Sequence, residues 1–543
     1  MEVSWPLVLR IILLLCLAGL ARFFYLLHKV RSRFRALPET HGIPIMPHSY
    51  LFGHLITLRK VLAKYPRDVA GFTIPTVLME EFPDVCKAGL VYMDAWPFSS
   101  PMLAVFHPDM MAQFCQDPSM PKHPMMRTMF SPMTQGKDLV TLENPDWKVW
   151  RARLNPGFSA RNIVSLLPDF IEEIRVFRDG LNKMAESGET FRLAEKTMRA
   201  TADVIARAVL GARLQSQTTH SPLYTALKNQ VSWMIGSPVK LIQKFNPLRT
   251  FVTWNNNRIM NNEVFPHIYR QLKETDTPSM TKTINSLAIQ AYRKEVLEQG
   301  RVSDKKFLSD AVAHLKIFML AGHDTTSTVL CYIYYHLHRS PSVLAALRAE
   351  HDAVLGEDPA RASAVISSNP AILNQLPYTS AVIKETLRTQ PPVGSVRSGS
   401  PRLLLTHPET GQKYPTAGYM LLSAIHALHR NPDYWSNPHK FDPQRWLTKD
   451  SVPVKNSFRP FELGPRNCIG QELVQVELKT ILAMTVREFD LTPIYDNTEV
   501  FGEPGYMADL RGEITSHPRD GMPVRVVLTK RGVDSVIPLA RSN

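Results

Sequence analysis

Residues 5–27 read WPLVLRIILLLCLAGLARFFYLL, an apolar run interrupted by Arg10 and Arg22. A helix rising about 1.5 Å per residue crosses a hydrocarbon core of about 30 Å in such a run. Both arginines stand near an end, where a long side chain reaches the headgroups. A cleaved signal peptide is the competing reading, because the uninterrupted core Ile11–Ala21 is short. Such peptides carry their positive charge before the apolar run. Here Glu2 precedes it, and His28, Lys29, Arg31, Arg33 and Arg35 follow. That order predicts an uncleaved anchor over 1–28 with the downstream chain in the cytosol.

Residues 29–54 are basic and then proline-rich, with Pro38, Pro44 and Pro47. Prolines at this density stiffen the chain and oppose helix, which predicts a hinge. Beyond it, apolar positions recur at three- and four-residue spacing over 162–180, 196–212, 281–299, 307–339, 341–356 and 373–389. Each reads as an amphipathic helix. Ser303 and Asp304 precede the longest, and Ser340-Pro341 opens the one after it. Short strand-like pieces stand at 402–405, 419–422 and 523–529. No repeat and no Pro/Gly/Ser linker divides residues 51–543. The pattern predicts one large, mainly α domain with minor β.

Composition narrows the class. Apolar residues make up 44% and charged residues 21%, ordinary for a globular chain, so wholesale disorder and coiled coil are excluded. Five cysteines among 543 residues exclude a disulfide scaffold. The net charge of +14 points to an acidic partner or a membrane. No basic run interleaved with aromatics appears, so a nucleic-acid partner is not expected.

The strongest chemical signal is Phe461-Glu462-Leu463-Gly464-Pro465-Arg466-Asn467-Cys468-Ile469-Gly470. A helix is predicted over 471–487. A cysteine just before a helix N-terminus is stabilised as thiolate by the dipole and free N–H groups, as an anionic metal ligand requires. Gly464 and Gly470 permit tight turns and close approach of a flat ligand, and Arg466 pairs with a ligand carboxylate. Cys16, Cys86, Cys115 and Cys331 read as inert apolar residues. The segment resembles the haem-binding loop of the cytochrome P-450 monooxygenases, F-x-x-G-x-R-x-C-x-G, matched at Phe461, Gly464, Arg466, Cys468 and Gly470. The resemblance makes Cys468 the axial thiolate of haem b, a ligand that favours O–O cleavage.

Residues 320–328, LAGHDTTST, break local rules inside the long helical stretch. Gly322 is costly in mid-helix, and Asp324, Thr325 and Thr326 prefer caps and turns. A helix break or capping box is one reading. A functional site is the other, with Gly322 opening a groove for a diatomic ligand, Thr325 donating to its distal oxygen and Asp324 feeding protons inward. The run is similar to the family's distal A-G-x-D-T-T motif, which implies that Asp324 and Thr325 form the acid–alcohol pair for dioxygen activation. His323 fills the variable position as packing or solvent-facing.

Glu385 and Arg388 share a helix face at i, i+3. The E-x-x-R pattern recurs at Glu172/Arg175, Glu189/Arg192 and Glu298/Arg301, which read as solvated pairs. The context of the 385 copy differs. PYTSAVIKETLR resembles the family's conserved-core helix, and Phe441-Asp442-Pro443-Gln444-Arg445-Trp446 resembles its P-E-R-F segment, with Gln444 for Glu and Trp446 for Phe. The resemblance implies a buried structural triad of Glu385, Arg388 and Arg445. Trp147-Lys148-Val149-Trp150-Arg151 resembles the W-x-x-x-R helix, and Arg397 matches a further propionate ligand. Trp147, Arg151 and Arg397 are therefore expected on the haem propionates, although spacing alone makes each an ordinary packing or surface residue.

The landmarks keep the family's order across nearly the whole chain. They imply a mostly helical cytochrome P-450 fold, a single-pass microsomal anchor in the endoplasmic reticulum and electrons from NADPH–cytochrome P-450 reductase. Lys148, Arg430, Lys455 and Arg459 are candidates for a basic reductase-docking face. FELGPRNCIGQ and FMLAGHDTTSTVLCYIYYHLHRSP look most like filamentous-fungal members of secondary metabolism, such as the versicolorin B desaturase group. The implied substrate is lipophilic, hydroxylated or desaturated, in polyketide-type mycotoxin biosynthesis. A haem-thiolate isomerase or dehydratase, and a membrane-anchored haem sensor, are the alternatives. Met120, Met125, Met126, Met129 and Met133 are an adaptable apolar wall over the haem or core filler. Residues 225–275 give no readable signal.

Overall fold

The computed structural model describes residues 5–116, 119–234, 246–273, 282–299, 304–448, 453–509 and 515–530. Helices form close to where the periodicity places them. They span Leu193–Leu210, Ile284–Gln299, Asp304–Arg339, Pro341–Leu355, Pro377–Thr389 and Gln471–Thr485. The stretch predicted over 162–180 is two helices, Ala160–Ser165 and Leu167–Ser187. Ser340 is the N-cap and Pro341 the first helical residue of its helix, where a missing N–H costs nothing. Ser303 lies outside the described residues. Helices Pro222–Trp233 and Pro247–Lys273 occupy the stretch without a legible period.

The long helix Asp304–Arg339 runs through the main core, packed along Leu193–Leu210. A second core surrounds a four-stranded sheet ordered Leu90–Met93, Met102–Val105, Met420–Ser423, Ser395–Ser398. Its central pair is parallel and the outer pairs antiparallel. A three-stranded sheet pairs Pro523–Leu528 with Phe191–Arg192 and Phe489–Pro493. Leu404–Thr406 pairs with Lys413–Pro415, and Met507–Ala508 with His517–Pro518. The sequence pattern missed Leu90–Met93 because all four of its residues are buried, so no alternation marks it.

The N-terminal helix corrects the expectation of a hinge at residue 29. It runs unbroken from Trp5 to His41, through Pro38. Its first part is exposed and apolar, and it is the one described helix long and apolar enough to cross a membrane. From Leu27 onward the same helix packs on the body, burying Leu27, Val30, Arg31, Phe34 and Leu37 at helical spacing. Arg31 forms a fully buried ion pair with Asp94 and donates to the carbonyls of Tyr50, Leu51 and Trp96 at 3.0–3.1 Å. Non-helical chain begins only after His41.

Candidate active site

The Cys468 loop is held before its helix begins. The Cys468 N–H donates to Phe461 O at 2.9 Å and the Asn467 N–H to Gly464 O at 3.1 Å. Phe461 is half-buried against the main core. Gly464 has φ +88, and a Cβ there would lie 2.6 Å from Gln116 Cα and 2.7 Å from Cys115 O. Its glycine serves packing on the end of helix Pro108–Cys115, not approach of a ligand. Gly470 has ordinary φ, and a Cβ there would meet nothing closer than Cys468 Sγ and Phe158 at 3.9 Å.

Cys468 is exposed, yet its thiol pKa is raised by burial, so its accessible surface faces an internal cleft rather than bulk solvent. The Gly470 N–H and the Arg151 charge act to lower it, but desolvation wins. A helix terminus alone therefore does not supply a thiolate here. A coordinating metal ion removes the thiol proton outright.

Across the cleft stands the long helix. Ala321 is exposed in mid-helix although residues 317–320 and 323–324 are buried, which marks a cavity beside it. Phe158 links the two sides: with Cys468 Sγ it lies 3.9 Å from the Gly470 Cβ position, and it stands edge-on to Phe318 at 5.1 Å. Thr325 Oγ1 donates to Ala321 O at 2.8 Å. Gly322 does not open the groove expected of it. A Cβ at Gly322 would sit 2.7 Å from Ile205 Cγ1, so its missing side chain allows close packing on helix Leu193–Leu210. His323 is buried, with Nδ1 2.6 Å from Met319 O.

Asp324 is buried and bonded to Thr515 Oγ1, with Oδ1 3.3 Å from His517 Nε2. His517 Nδ1 lies 3.2 Å from Thr328 Oγ1. Burial acts to raise the carboxyl pKa, but His517 and the Thr515 hydroxyl lower it to about 2. Thr515 and His517 were invisible in the sequence because nothing local marks them; the short strand His517–Pro518 brings them to the long helix.

Basic residues gather on another wall. Arg151 donates from Nη1 and Nη2 to Asn467 O and Oδ1, both at 2.9 Å, which ties it to the loop instead of leaving it free for a propionate. Arg466 pairs with Glu143, donates to Leu142 O at 3.0 Å and lies 4.6 Å over the buried Trp147 ring. Arg397 is buried, donates to Val396 O at 3.0 Å, and its Nε has no hydrogen-bond partner. Lys122 bridges to Arg397 through the backbone, and its N–H donates to Glu143 Oε1 at 2.6 Å. Burial, with Arg397 and Arg466 facing it, lowers the Lys122 pKa to about 7. Lys122 and Glu143 escaped the sequence reading, since neither belongs to a local pattern. Four cations, two carboxylates (Glu143, and Glu462 already paired with Arg459) and an orphaned buried N–H leave the cluster short of negative charge. A group carrying carboxylates and a thiol-binding metal fits the chemistry of this donor set.

The charged cluster at Glu385 is closed. Arg388 donates to Glu385 Oε2 and Oε1 at 3.0 and 2.8 Å, and Arg445 Nε to Oε1 at 3.0 Å. Trp446 Nε1 adds a donor at 3.0 Å to Oε2. Arg388 also donates to the His429 and Pro438 carbonyls. Glu172 instead pairs with Arg207, and Arg192 with Glu195 at 3.7 Å; Arg301 lies outside the described residues.

Two docking candidates are corrected. Arg430 is 1% exposed and pairs with Glu503, and Arg459 is fully buried on Glu462, so neither faces a partner. Lys148 and Lys455 are exposed. Met129 and Met133 are core filler, while Met125 and Met126 are half-buried between the two cores.

The cytochrome P450 family profile matches residues 87–505. Cytochrome P450 monooxygenase polC of Polytolypa hystricis is 36% identical over 95% of this chain and 94% of its own. Cytochrome P450 monooxygenase acrF of Aspergillus aculeatus is 31% identical over 86% of this chain and 99% of its own. The crystal structure of the cytochrome P450DA heme domain superposes with TM-score 0.70 at 22% identity, over 90% of this chain and 98% of that one, which shows the shared fold. Profile, relatives and fold agree: this chain is an enzyme of the cytochrome P450 monooxygenase family.

Proposed function

We propose that the enzyme hydroxylates or desaturates a lipophilic small molecule, using dioxygen and electrons passed from NADPH by a separate reductase. One observation carries this reading: the enclosed thiol Cys468 sits on a loop that Phe158 joins to the long helix, where Ala321 stands exposed one turn from Thr325. Haem b is the group that fits: Cys468 would hold its iron, Arg397, Lys122, Arg466 and Trp147 would stand around its propionates, and Arg151 would brace the Cys468 loop. When bound, haem supplies the iron centre at which dioxygen is activated.

The chain's own residues then have distinct tasks. With haem bound, the Gly470 N–H and the Arg151 charge would help stabilise the thiolate of Cys468. Asp324 is ionised at neutral pH and accepts protons from the Thr515–His517 side. It passes a proton inward only by turning from Thr515. Thr325 must release Ala321 O before its hydroxyl can donate into the cleft. Retention of this acid–alcohol pair favours oxygen chemistry over an electron-free isomerase.

The relatives' names as monooxygenases support the reaction type. The fungal relatives support a role in secondary metabolism; a polyketide-type scaffold rests on the sequence resemblance alone. The exposed apolar half of helix Trp5–His41 supports a single-pass anchor in the endoplasmic reticulum membrane with residues 55–543 cytosolic. Lys148 and Lys455 remain the candidates for docking an acidic reductase.

The carbon monoxide difference spectrum of the dithionite-reduced, detergent-solubilised protein tests this. A strongly red-shifted Soret band is expected, and in Cys468→Ala its loss. A band at the ordinary haem position in folded wild-type protein overturns the role of Cys468. Reductase-dependent NADPH consumption then separates a monooxygenase from an isomerase or a sensor.

A further inference from the structure

A partly enclosed cavity of about 1000 Å³ lies between helix Pro124–Thr134, helix Pro247–Lys273 and the first half of the long helix. It is not the cleft beside Cys468. Neither the Cys468 loop nor Ala321–Thr325 lines it. Its lining along the long helix steps by three and four residues from Lys305 through Leu308, Val312 and Lys316. Nine positions separate Lys316 from Thr325. At about 100° per residue that places them on opposite sides of the helix.

Lys316 forms the floor. It is 5% exposed, and its Nζ donates to Asn257 Oδ1 at 2.8 Å and to Met133 O at 3.3 Å. Both acceptors are neutral. Among the described residues no carboxylate pairs with this ammonium, and burial alone lowers its pKa to about 8. Lys137, Arg258 and Lys305 add charge of the same sign at the walls, and no Asp or Glu is among the described lining. Asp310 interacts with Lys137 but does not line the cavity. The remaining walls are apolar, with Met133, Trp254, Phe265 and Val312. A buried charge without a partner is expensive, and the arrangement becomes favourable only when an anion joins it.

We propose that this cavity is a second ligand site, which takes an amphiphilic organic acid with its carboxylate on Lys316 and its hydrocarbon part along Val312 and Phe265. The site stands independently of any reading of Cys468. Lys316 fixes the head through a charge-assisted hydrogen bond, and the apolar walls accept the tail. Matched neutral amphiphiles gain only the second contribution.

The test is calorimetric titration of the detergent-solubilised haem-loaded protein with octanoate and, separately, octan-1-ol at pH 7. Octanoate is expected to bind at least tenfold more tightly than octan-1-ol without moving the Soret band. In Lys316→Met and in Lys316→Gln the ratio falls to about one, while the carbon monoxide spectrum stays that of the wild type. Two variants guard against one failing to fold. A ratio near one in the wild type, an unchanged ratio in both variants, or octanoate binding that shifts the Soret band overturns the proposal. The carbon monoxide spectrum reports the haem reading separately, so the two fail independently.

Discussion

Glu477 sits on helix Gln471–Thr485 with 1% exposure, and its Oε1 has no hydrogen-bond partner. Burial raises its pKa well above 4.5. The folded state therefore prefers the protonated acid, and stability is intact below pH 4.5 and lost as pH rises through the folded value. Glu477→Gln removes the titration and keeps the shape. It is expected to melt above the wild type at pH 8, with the gap closing near pH 5, as followed by circular dichroism. A gap independent of pH would mean that the carboxyl is not held protonated. Asp324 has the opposite sign. Its pKa of about 2 gives stability that is present above the ordinary carboxylate value and lost as pH falls toward 2. Asp324→Asn keeps the volume but ends proton acceptance. Dioxygen-dependent NADPH consumption with reductase is expected to fall about 10²-fold or more, with an unchanged carbon monoxide spectrum. Both aspects of Asp324 differ in legibility. Its chemical oddity in a helix interior was readable, whereas its partners Thr515 and His517, nearly two hundred residues away, were not.

Elements are held together by a few buried charges. Glu385 joins helix Pro377–Thr389 to the segment Pro443–Trp446 through Arg445 and Trp446. Trp446 in place of the family's usual Phe supplies a further indole donor to the same carboxylate. Glu385→Gln leaves two buried guanidinium groups without their anion and is expected to cost about 3–5 kcal/mol. The measurable result is a lowered melting temperature and poor haem retention, not a change confined to turnover. The N-terminal helix depends similarly on Arg31. Burial acts to raise the Asp94 pKa, but His48 and Arg31 together lower it. Arg31→Ala leaves that buried carboxylate with His48 as its remaining ion-pair partner among the described residues. Trypsin cleavage at Lys29, Arg33 and Arg35 is expected to accelerate several-fold; an unchanged rate would mean that apolar packing of Phe34 and Leu37 suffices. Proline content predicted a stiff, non-helical hinge here, but Pro38 lies near the end of an already packed helix, where the contacts of its upstream turns decide the outcome.

At the scale of the whole molecule, the N-terminal helix has two halves with different solvents. Leu9 to Phe24 face outward, and Leu27 to Leu37 face the second core. Deleting residues 1–22 is expected to raise solubility without changing the melting temperature. Deleting residues 1–37 is expected to lower it, because the Phe34 and Leu37 contacts are lost. Equal melting temperatures would deny the inner half a structural role.

The long, one-sided helices were legible because helical period survives wherever one face meets solvent. The Cys468 loop and the long-helix motif were legible because their chemistry is unusual at short range, whereas the triad stood out from three other E-x-x-R copies only through the family resemblance of its context. By itself the sequence thus determined the helical class, the apolar anchor segment and the family resemblance. Tertiary structure alone decided the buried strands, the burial of Arg430 and Arg459, the tie between Arg466 and Glu143, and the packing role of Gly322 against Ile205. The physical reason is the same in each case. Partner choice and desolvation depend on what the fold brings within a few ångströms, and that information is spread over residues far apart in the chain.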